Sequence, residues 1–242
     1  MLFRSTEVAN PEQTRLCLEA DINTLWIGAR TSANPIAVQA IASTIAQYRR
    51  EVSVMVKNPT NADPLLWRGN IERFLTIGCE VAAVHRGCNH QPCWEMAYPL
   101  RFNEEEGSKT VPLLLDPSHL SGNADKVPAL SLQAQAMGYD GLMIEVHDEP
   151  QQALSDACQQ ITPTELSRLI AHLNEAAQHP PKPDRLIWLR AMMDEVDETL
   201  WTALARRMEL SRQIGDYKRP KGIPPFQPER WEQIRTRDRK ST

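Results

Sequence analysis

The chain has 242 residues, of which 41% are hydrophobic, 24% charged and 6% aromatic, and this composition excludes a collagenous, low-complexity or wholly disordered protein. Its 27 basic and 31 acidic residues give a net charge of −4, so no nucleic-acid partner is expected. No run approaches the roughly 18 apolar residues of a membrane span, and the N-terminus lacks the apolar core of a signal peptide. With five scattered cysteines and no CxxC motif, we expect a cytoplasmic protein with no membrane partner.

Short apolar runs rich in β-branched residues alternate with helical patterns along most of the chain. The predicted strands are 6–8, 24–29, 53–58, 81–87, 111–119 and 141–147, and the predicted helices are 11–20, 35–49, 63–77 and 126–137. Several helices begin with Asn-Pro or Asp-Pro, and proline suits the first turn because its missing N–H would be unpaired there. Repeated strand–helix units predict an α/β fold with a parallel sheet, either closed into a barrel or open and doubly wound.

The pattern changes in segment 177–184, where three prolines in eight residues predict a linker. A single long helix is predicted from 185 to 218. The chain is therefore divided into an α/β region of residues 1–178, a linker of residues 179–184 and a helical region of residues 185–242. The acidic segment 103–109 is predicted to be a solvated loop.

Charged side chains and histidines follow the carboxyl ends of the predicted strands. In chain order these ends carry Arg30, Lys57, His85 and Arg86, Asp116 and His119, and Glu145 and His147. In (β/α)8 barrels the loops after the strands build the active site. Repetition at five strand ends favours a site over the alternative that charges merely mark the ends. For His85 and His147, the pattern leaves a structural role and a site role open.

These residues form two chemical groups. The cations have no carboxylate beside them in the sequence, and together they suit an anion with both carboxylate and phosphate; they are Arg30, Lys57 and Arg86. The second group consists of nitrogen and oxygen donors that suit a divalent cation, and its members are His119, Glu145 and Asp156.

The long helix predicted after the linker carries cations within its apolar face. The apolar stripe consists of Leu189, Met193, Val196, Leu200, Ala203, Leu204, Leu210 and Ile214. At about 100° per residue, Arg207 and Lys218 lie within about 20° of the centre of this stripe. Buried unpaired cations are costly, so the two side chains either extend to solvent or meet an anion inside a helical bundle.

The motifs WIGART, VMVKNPTN, AVHRGC, DPSHLSGN and GLMIEVH, in this order, resemble the β-type of the class I 3-deoxy-D-arabino-heptulosonate 7-phosphate (DAHP) synthases. The resemblance covers residues 6 to about 178. It implies a (β/α)8 TIM barrel, of which this chain carries six of the eight strands and lacks the first two. It also implies condensation of phosphoenolpyruvate with erythrose 4-phosphate, the first step of the shikimate pathway and of aromatic amino acid biosynthesis. Related sugar-acid synthases, which share the barrel and its cations, are the nearest alternative.

The same resemblance implies roles for the residues at the strand ends. Ala29, Arg30, Lys57 and Arg86 would contact phosphoenolpyruvate, and Lys57 would also act in catalysis as a proton donor. A divalent metal ion (Mn²⁺, Fe²⁺, Co²⁺ or Zn²⁺) would polarise the aldehyde of erythrose 4-phosphate. Its implied ligands are His119, Glu145 and Asp156.

The helical segment 189–218 resembles the first helix of the helical-bundle chorismate mutases that are fused to β-type DAHP synthases. This second resemblance runs from about 186 to 237. It implies that Arg190, Arg207 and Lys218 are catalytic cations that bind chorismate during its rearrangement to prephenate. Because mutases of this type are intertwined dimers, it also implies a homodimer or a higher homo-oligomer.

Three functional hypotheses follow. The first is a bifunctional enzyme, of which these residues would be the middle part, truncated at both ends. In the second, the helical region senses chorismate or prephenate and regulates the barrel. In the third, the chain is an inactive fragment that keeps the cation sites without the chemistry.

Overall fold

The structure, a computed structural model, describes residues 5–48, 51–102, 111–176 and 184–238. The predicted loop 103–109 and residues 179–183 of the predicted linker lie outside these ranges. The chain forms two compact units, Met1–Met192 and Met193–Thr242.

Six strands form one parallel sheet in which spatial order follows chain order. They are β1 (Ser5–Glu7), β2 (Thr24–Ile27), β3 (Ser53–Lys57), β4 (Glu80–His85), β5 (Leu113–Leu115) and β6 (Gly141–Leu142). Neighbouring strands are joined by helical connections, the arrangement from which (β/α)8 barrels are built. The half-barrel confirms the predicted fold class.

Ten α-helices are present in the described residues. They are α1 (Pro11–Glu19), α2 (Ala29–Ser32), α3 (Pro35–Ile45), α4 (Pro64–Thr76), α5 (Tyr98–Arg101), α6 (Pro117–Ser121), α7 (Val127–Ala136), α8 (Pro163–Ala176), α9 (Arg185–Lys218) and α10 (Pro228–Asp238). The four helices predicted between strands are confirmed as α1, α3, α4 and α7. The long helix predicted for residues 185–218 is confirmed as α9.

Four of the helices begin with an Asn-Pro or Asp-Pro pair that works as predicted. In each, the side-chain oxygen of the capping residue accepts a backbone N–H of the first turn, and proline occupies the first helical position. The capping residues are Asn10, Asn34, Asp63 and Asp116. The last cap corrects the predicted strand 111–119, which ends at Leu115 because Asp116 and Pro117 begin α6.

The last predicted strand, 141–147, is also shorter in the structure. Regular pairing ends at Leu142, and the chain then returns to parallel pairing only in an isolated bridge between Val146 and Ile161. β6 pairs with β5, which is only three residues long, and the ladder between the two strands is therefore short.

The main core lies on the helix-covered face of the sheet. Leu25, Val54 and Leu113 are at most 1% exposed and belong to one cluster with Ile41 and Phe74 of the covering helices. Successive side chains of a strand point to opposite faces. The alternate strand residues, Trp26, Met55, Ala82 and Leu114, are only half-buried. One face of the sheet is therefore fully covered, and the other lines the open interior of the half-barrel.

The first two turns of α9 also belong to this core. Trp188 is fully buried, and its indole Nε1 donates a hydrogen bond of 2.9 Å to the backbone oxygen of Met137. Its ring stacks on that of Tyr139, with a centroid separation of 5.3 Å. The first compact unit therefore extends into the helix as far as Met192. The module boundary at residue 185 stays a prediction.

The second unit contains the remainder of α9 and α10. Its predicted apolar stripe is exposed along the helix, with Leu200, Leu204 and Ile214 each at least 50% accessible. No helix in the described ranges is long and apolar enough to cross a lipid bilayer.

Candidate functional site

A cavity of about 550 Å³ lies at the carboxyl end of the sheet. It brings together every residue that the sequence predicted for the barrel site: Ala29, Arg30, Lys57, Arg86, His119, Glu145 and Asp156. Sequence reasoning did not single out the other residues of its lining, which are Glu7, Trp26, Gly28, Thr60 and Ser155. Because all six strands are parallel, their carboxyl ends lie at the same end of the sheet, and this arrangement collects the side chains in one place.

A larger cavity, of about 720 Å³, lies at the opposite end of the strands. Its polar groups include Ser53, whose hydroxyl donates to the carboxylate of Glu80 at 2.9 Å. Burial raises the pKa of its one thiol, Cys79, to about 11, so that thiol stays protonated near neutral pH. Chemistry, rather than volume, therefore identifies the smaller cavity as the candidate site.

Asp116 links the two chemical groups of the site. Its carboxylate is buried, with a side-chain exposure of 1%, and its Oδ2 lies 2.7 Å from Nζ of Lys57 and 2.9 Å from Nδ1 of His119. Its Oδ1 accepts the backbone N–H of His119 at 3.0 Å. Burial acts to raise the pKa of Asp116, but hydrogen bonding by His119 and the charge of Lys57 outweigh it, so this pKa lies below its usual value. Asp116 is thus a carboxylate held between a cation and an imidazole.

Lys57, the last residue of β3, is only 4% exposed. Besides its ion pair with Asp116, its Nζ lies 4.9 Å from the centroid of the Trp26 ring, within the range of a cation–π interaction. The ammonium group is therefore fixed on the floor of the cavity by a carboxylate and an indole.

The two arginines differ in how they are held. Arg86 directly follows β4, and its backbone N–H donates to Oδ1 of the buried Asn58 at 2.7 Å. The side chain of Asn58 also donates to the backbone oxygen of Gly87 at 3.0 Å. Arg30 lies on α2 and is exposed. The asparagine side chain thus fastens the end of β4 to that of β3.

Glu7, the last residue of β1, adds a carboxylate to the cavity. Gly28 lies at the end of the neighbouring strand, and a Cβ atom there would overlap the carboxylate of Glu7. A larger residue at position 28 would therefore displace the carboxylate of Glu7 from this place in the cavity.

The predicted metal ligands come together. One ligand atom from each of His119, Glu145 and Asp156 lies within 4.8 Å of the others, and Nε2 of His119 is 3.5 Å from Oε1 of Glu145. The carboxylate of Asp116 lies at the other imidazole nitrogen, the usual arrangement for orienting a histidine ligand. Nitrogen and carboxylate donors suit a first-row divalent cation, so the residues present fit the predicted ion.

Glu145 has supporting contacts of its own. Its Oε2 accepts a hydrogen bond of 2.9 Å from the side chain of Gln159, and its backbone N–H donates to the hydroxyl of Ser118 at 3.1 Å. Neither partner was identified from the sequence. Ser118 lies in α6 and Gln159 in a short 3₁₀ helix, and nothing in their local sequence indicates that either contacts Glu145.

The two histidines left open by the sequence are not part of the cavity lining. His85 is fully buried, with its Nδ1 2.8 Å from the hydroxyl of Tyr139. Burial lowers the pKa of His85 to about 4, so it is neutral near pH 7. His147 accepts the backbone N–H of Glu149 through its Nδ1, at 3.0 Å.

The three cations predicted for the helical region all lie on α9. Arg190 belongs to the first compact unit, whereas Arg207 and Lys218 belong to the second. Both arginines are exposed, and Nζ of Lys218 donates to the backbone oxygen of Pro225 at 3.1 Å. Their shared role in chorismate binding stays a prediction.

A parallel sheet of six strands, with a candidate site at its carboxyl end that is suited to an anion and a divalent cation, defines a protein of the (β/α)8-barrel class. The model of the DAHP synthetase I family matches residues 2–180, and the chain belongs to that family. The model of chorismate mutase type II matches residues 189–241. The predicted fusion of the two types is thereby confirmed.

Curated relatives match over shorter segments. A phospho-2-dehydro-3-deoxyheptonate aldolase of Thermotoga maritima is 40% identical over 67 residues, which are 28% of this chain and 20% of that protein. A 2-dehydro-3-deoxyphosphooctonate aldolase of Helicobacter pylori is 42% identical over 53 residues, which are 22% of this chain and 19% of that protein. The matched segments thus span about a fifth of each relative.

Two solved structures share the fold. A truncated form of 3-deoxy-D-arabino-heptulosonate 7-phosphate synthase from Thermotoga maritima superposes with a TM-score of 0.62 at 23% identity, over 73% of this chain and 66% of that one. A DAHP synthase structure from the same organism gives a TM-score of 0.63 at 23% identity, over 73% of this chain and 51% of that one.

Proposed function

We propose that the barrel condenses phosphoenolpyruvate with erythrose 4-phosphate to give DAHP and phosphate, in the shikimate pathway of aromatic amino acid biosynthesis. The observation that carries this proposal is the single cavity that joins three cations to a His/Glu/Asp cluster. Phosphoenolpyruvate carries a carboxylate and a phosphate, the two groups that arginine and lysine side chains bind best. Membership of the DAHP synthetase I family supports the same reaction.

In this proposal Arg30, Lys57 and Arg86 bind and orient phosphoenolpyruvate, with the backbone of Ala29 beside it. The C2=C3 π bond of phosphoenolpyruvate breaks as C3 bonds to the aldehyde carbon, and the aldehyde oxygen takes up a proton. Water adds at C2 and gives up a proton, and phosphate leaves as the C2–O bond breaks and C2 becomes a ketone. Lys57 is the proposed proton donor, because its ammonium group is held within the cavity at 2.7 Å from Asp116. Holding both substrates together supplies the proximity on which such a condensation depends.

His119, Glu145 and Asp156 would hold the divalent ion, and the family's metal dependence is consistent with this cluster. The donor set suits Mn²⁺, Fe²⁺, Co²⁺ or Zn²⁺. The ion would supply Lewis-acid polarisation of the aldehyde carbonyl. Asp116 would keep the imidazole of His119 oriented and its Nδ1 engaged.

The barrel activity is tested by incubating the full chain with phosphoenolpyruvate, erythrose 4-phosphate and Mn²⁺ and measuring phosphate release. We expect turnover in the wild-type chain and a reduction of more than about 100-fold in His119→Ala. Removing a residue that only supports a metal ligand typically costs about 10- to 100-fold in activity, and removing the ligand itself should cost more. His147→Ala is the matched control and should retain turnover, since His147 is not part of the cavity lining.

Two other results would replace this proposal. Release of phosphate with a five-carbon but not a four-carbon aldose phosphate would favour a related sugar-acid synthase. Binding of phosphoenolpyruvate without turnover under any metal would favour the inactive fragment.

We propose that the helical region rearranges chorismate to prephenate, on the strength of the chorismate mutase type II match to residues 189–241. Arg207 and Lys218 of one chain, with Arg190 from the α9 helix of a second chain, would bind the carboxylates and ether oxygen, so that restraint and electrostatic stabilisation provide the catalysis. We expect the full chain to consume chorismate, measured as a fall in chorismate absorbance, and we expect Arg207→Ala to abolish this activity. Binding of chorismate without consumption would favour the regulatory alternative.

We further propose self-association into a homodimer or higher homo-oligomer in the cytoplasm. The exposed stripe that includes Leu200, Leu204 and Ile214 supports an interface on the second unit, because contiguous exposed apolar surface commonly marks an interaction site.

A further inference from the structure

A stack of three rings connects the start of α9 to the end of β4. The ring of Trp188 stacks on that of Tyr139 with an interplanar angle of 20° and a centroid separation of 5.3 Å. The ring of Tyr139 is nearly parallel to that of His85, at 8° and 6.2 Å. His85 is the last residue of its strand, so the stack reaches the end of β4, where the candidate site begins.

Directed polar contacts hold the stack in place. The indole Nε1 of Trp188 donates to the backbone oxygen of Met137 at 2.9 Å. The hydroxyl of Tyr139 and Nδ1 of His85 share a hydrogen bond of 2.8 Å. Trp188 and His85 are both fully buried, where a polar atom that loses its partner is penalised most.

The backbone at the end of β4 is hydrogen-bonded to the site at two consecutive residues, His85 and Arg86. The carbonyl oxygen of His85 accepts the backbone N–H of Asp116 at 2.7 Å. The next residue, Arg86, donates its own backbone N–H to the side chain of Asn58 at 2.7 Å. The placement of His85 therefore sets the placement of a carboxylate that contacts Lys57 and of a cation that lines the cavity.

We infer that Tyr139 and Trp188 are positioning residues, which fix Arg86 and Asp116 in the candidate site through the ring and backbone of His85. The inference rests on the proposed function only for the identity of the anion bound. It makes the first two turns of α9 part of the barrel site, although they lie beyond the proline-rich segment that the sequence marks as a linker.

The first test measures how strongly the backbone amides of the site are protected from hydrogen exchange when no ligand is bound. Amide hydrogen exchange of peptides containing the Arg86 and Asp116 N–H groups is compared between the wild-type chain and Tyr139→Phe, which removes only the hydroxyl. We expect exchange at least about fivefold faster in both peptides, since protection reports local opening. Tyr98→Phe is the matched control. The ring of Tyr98 packs on the same indole, with a centroid separation of 6.4 Å, but it takes part in neither the ring contact nor the hydrogen bond between Tyr139 and His85.

The second test measures anion binding, by calorimetric titration of phosphoenolpyruvate in the presence of Mn²⁺. We expect the Kd to rise by about tenfold in Tyr139→Phe and in Trp188→Phe, the effect of one lost hydrogen bond. Tyr98→Phe should bind like the wild-type chain.

A double variant, His85→Phe with Tyr139→Phe, separates positioning from stability. Tyr139→Phe alone leaves Nδ1 of His85 without its hydrogen-bond partner and should lower the urea midpoint. Removing both polar partners can be nearly neutral for folding, so the midpoint of the double variant should return towards the wild-type value while phosphoenolpyruvate binding stays weak. Recovery of binding together with the midpoint would reduce the stack to a structural role and overturn the inference.

Unchanged exchange in Tyr139→Phe would also overturn the inference, whatever the protein binds. Failure of the wild-type chain to bind phosphoenolpyruvate would instead contradict the proposed function. The exchange measurement would still decide the positioning role in that case.

Discussion

Asp116 performs two tasks with one side chain. Its Oδ1 caps α6 by accepting the backbone N–H of His119, and its Oδ2 contacts Lys57 and the imidazole of His119. The first task follows from local chain geometry, since aspartate before proline is a strong helix start. The second depends on Lys57, which is 59 residues away in the sequence. One carboxylate therefore joins the anion-binding and cation-binding halves of the site.

At the same scale, His85 makes stability depend on pH. Burial lowers its pKa to about 4, against an unfolded value of 6.5, while the charge of Arg86 lowers it further and that of Asp116 opposes the shift. Between these two values the unfolded chain binds a proton that the folded chain does not, so acidification favours unfolding. We expect the free energy of unfolding to fall by up to about 1.4 kcal/mol per pH unit from pH 6.5 towards pH 4.

Urea denaturation at several pH values measures this slope. His85→Phe is the control, because the variant lacks the titrating group and should show a shallower slope over the same window. The neighbouring hydroxyl of Tyr139 stays protonated there, since burial raises its pKa well above the usual value. Equal slopes in the two proteins would contradict a neutral, buried imidazole.

At the scale of elements, α9 has two distinct parts. Its first turns contribute Trp188 and Ala191 to the core of the barrel, both at most 9% exposed. From Met193 onwards its large apolar side chains are exposed, including Trp201 at 67%. A single continuous helix thus serves as a core element at one end and as an open apolar surface over the rest of its length.

This division predicts different costs for two tryptophans of the same helix. Trp188→Ala should destabilise the first unit by about 3–5 kcal/mol, the usual cost of deleting a buried aromatic ring. Trp201→Ala should change its stability by no more than about 0.5 kcal/mol, as exposed substitutions do. Thermal or urea unfolding followed by circular dichroism distinguishes them, and equal effects would contradict the assignment of the first turns to the core.

At the scale of the whole molecule, the second unit exposes the apolar stripe that was identified in the sequence of α9. Met193, Leu200, Leu204 and Ile214 are each at least 50% accessible. Exposure of this much aligned apolar surface is unfavourable in water. A partner surface is therefore expected, and the proposed self-association would provide it.

Sedimentation velocity at micromolar concentrations tests this expectation. The wild-type chain should sediment as a dimer or larger species, and Leu204→Lys should shift it towards the monomer by placing a charge in the stripe. Ala205→Lys is the matched control, since it lies about 100° around the helix from the stripe position. A monomeric wild-type chain at these concentrations would argue against the interface.

The alternation of strands and helices was sufficient to predict the sheet and the end of it that carries the candidate site. A parallel sheet places the carboxyl ends of all its strands together, so Arg30, Lys57 and Arg86 had to converge once the strands were identified. Helix starts were equally readable, because Asn-Pro and Asp-Pro caps act within one turn. The lengths of β5 and β6 could not be predicted from the sequence, because the length of a strand depends on how many residues pair with the neighbouring strand.

By itself, the sequence determined the order of the elements and which cations and donors meet at the mouth of the barrel, because both follow from local periodicity and parallel topology. Only the tertiary structure decided that Asp116 bridges Lys57 and His119, that Gly28 makes room for Glu7, and that Trp188 closes the core. Each of these contacts joins residues far apart in the chain. Their selection depends on the packed geometry of neighbouring strands and helices, which no local pattern encodes.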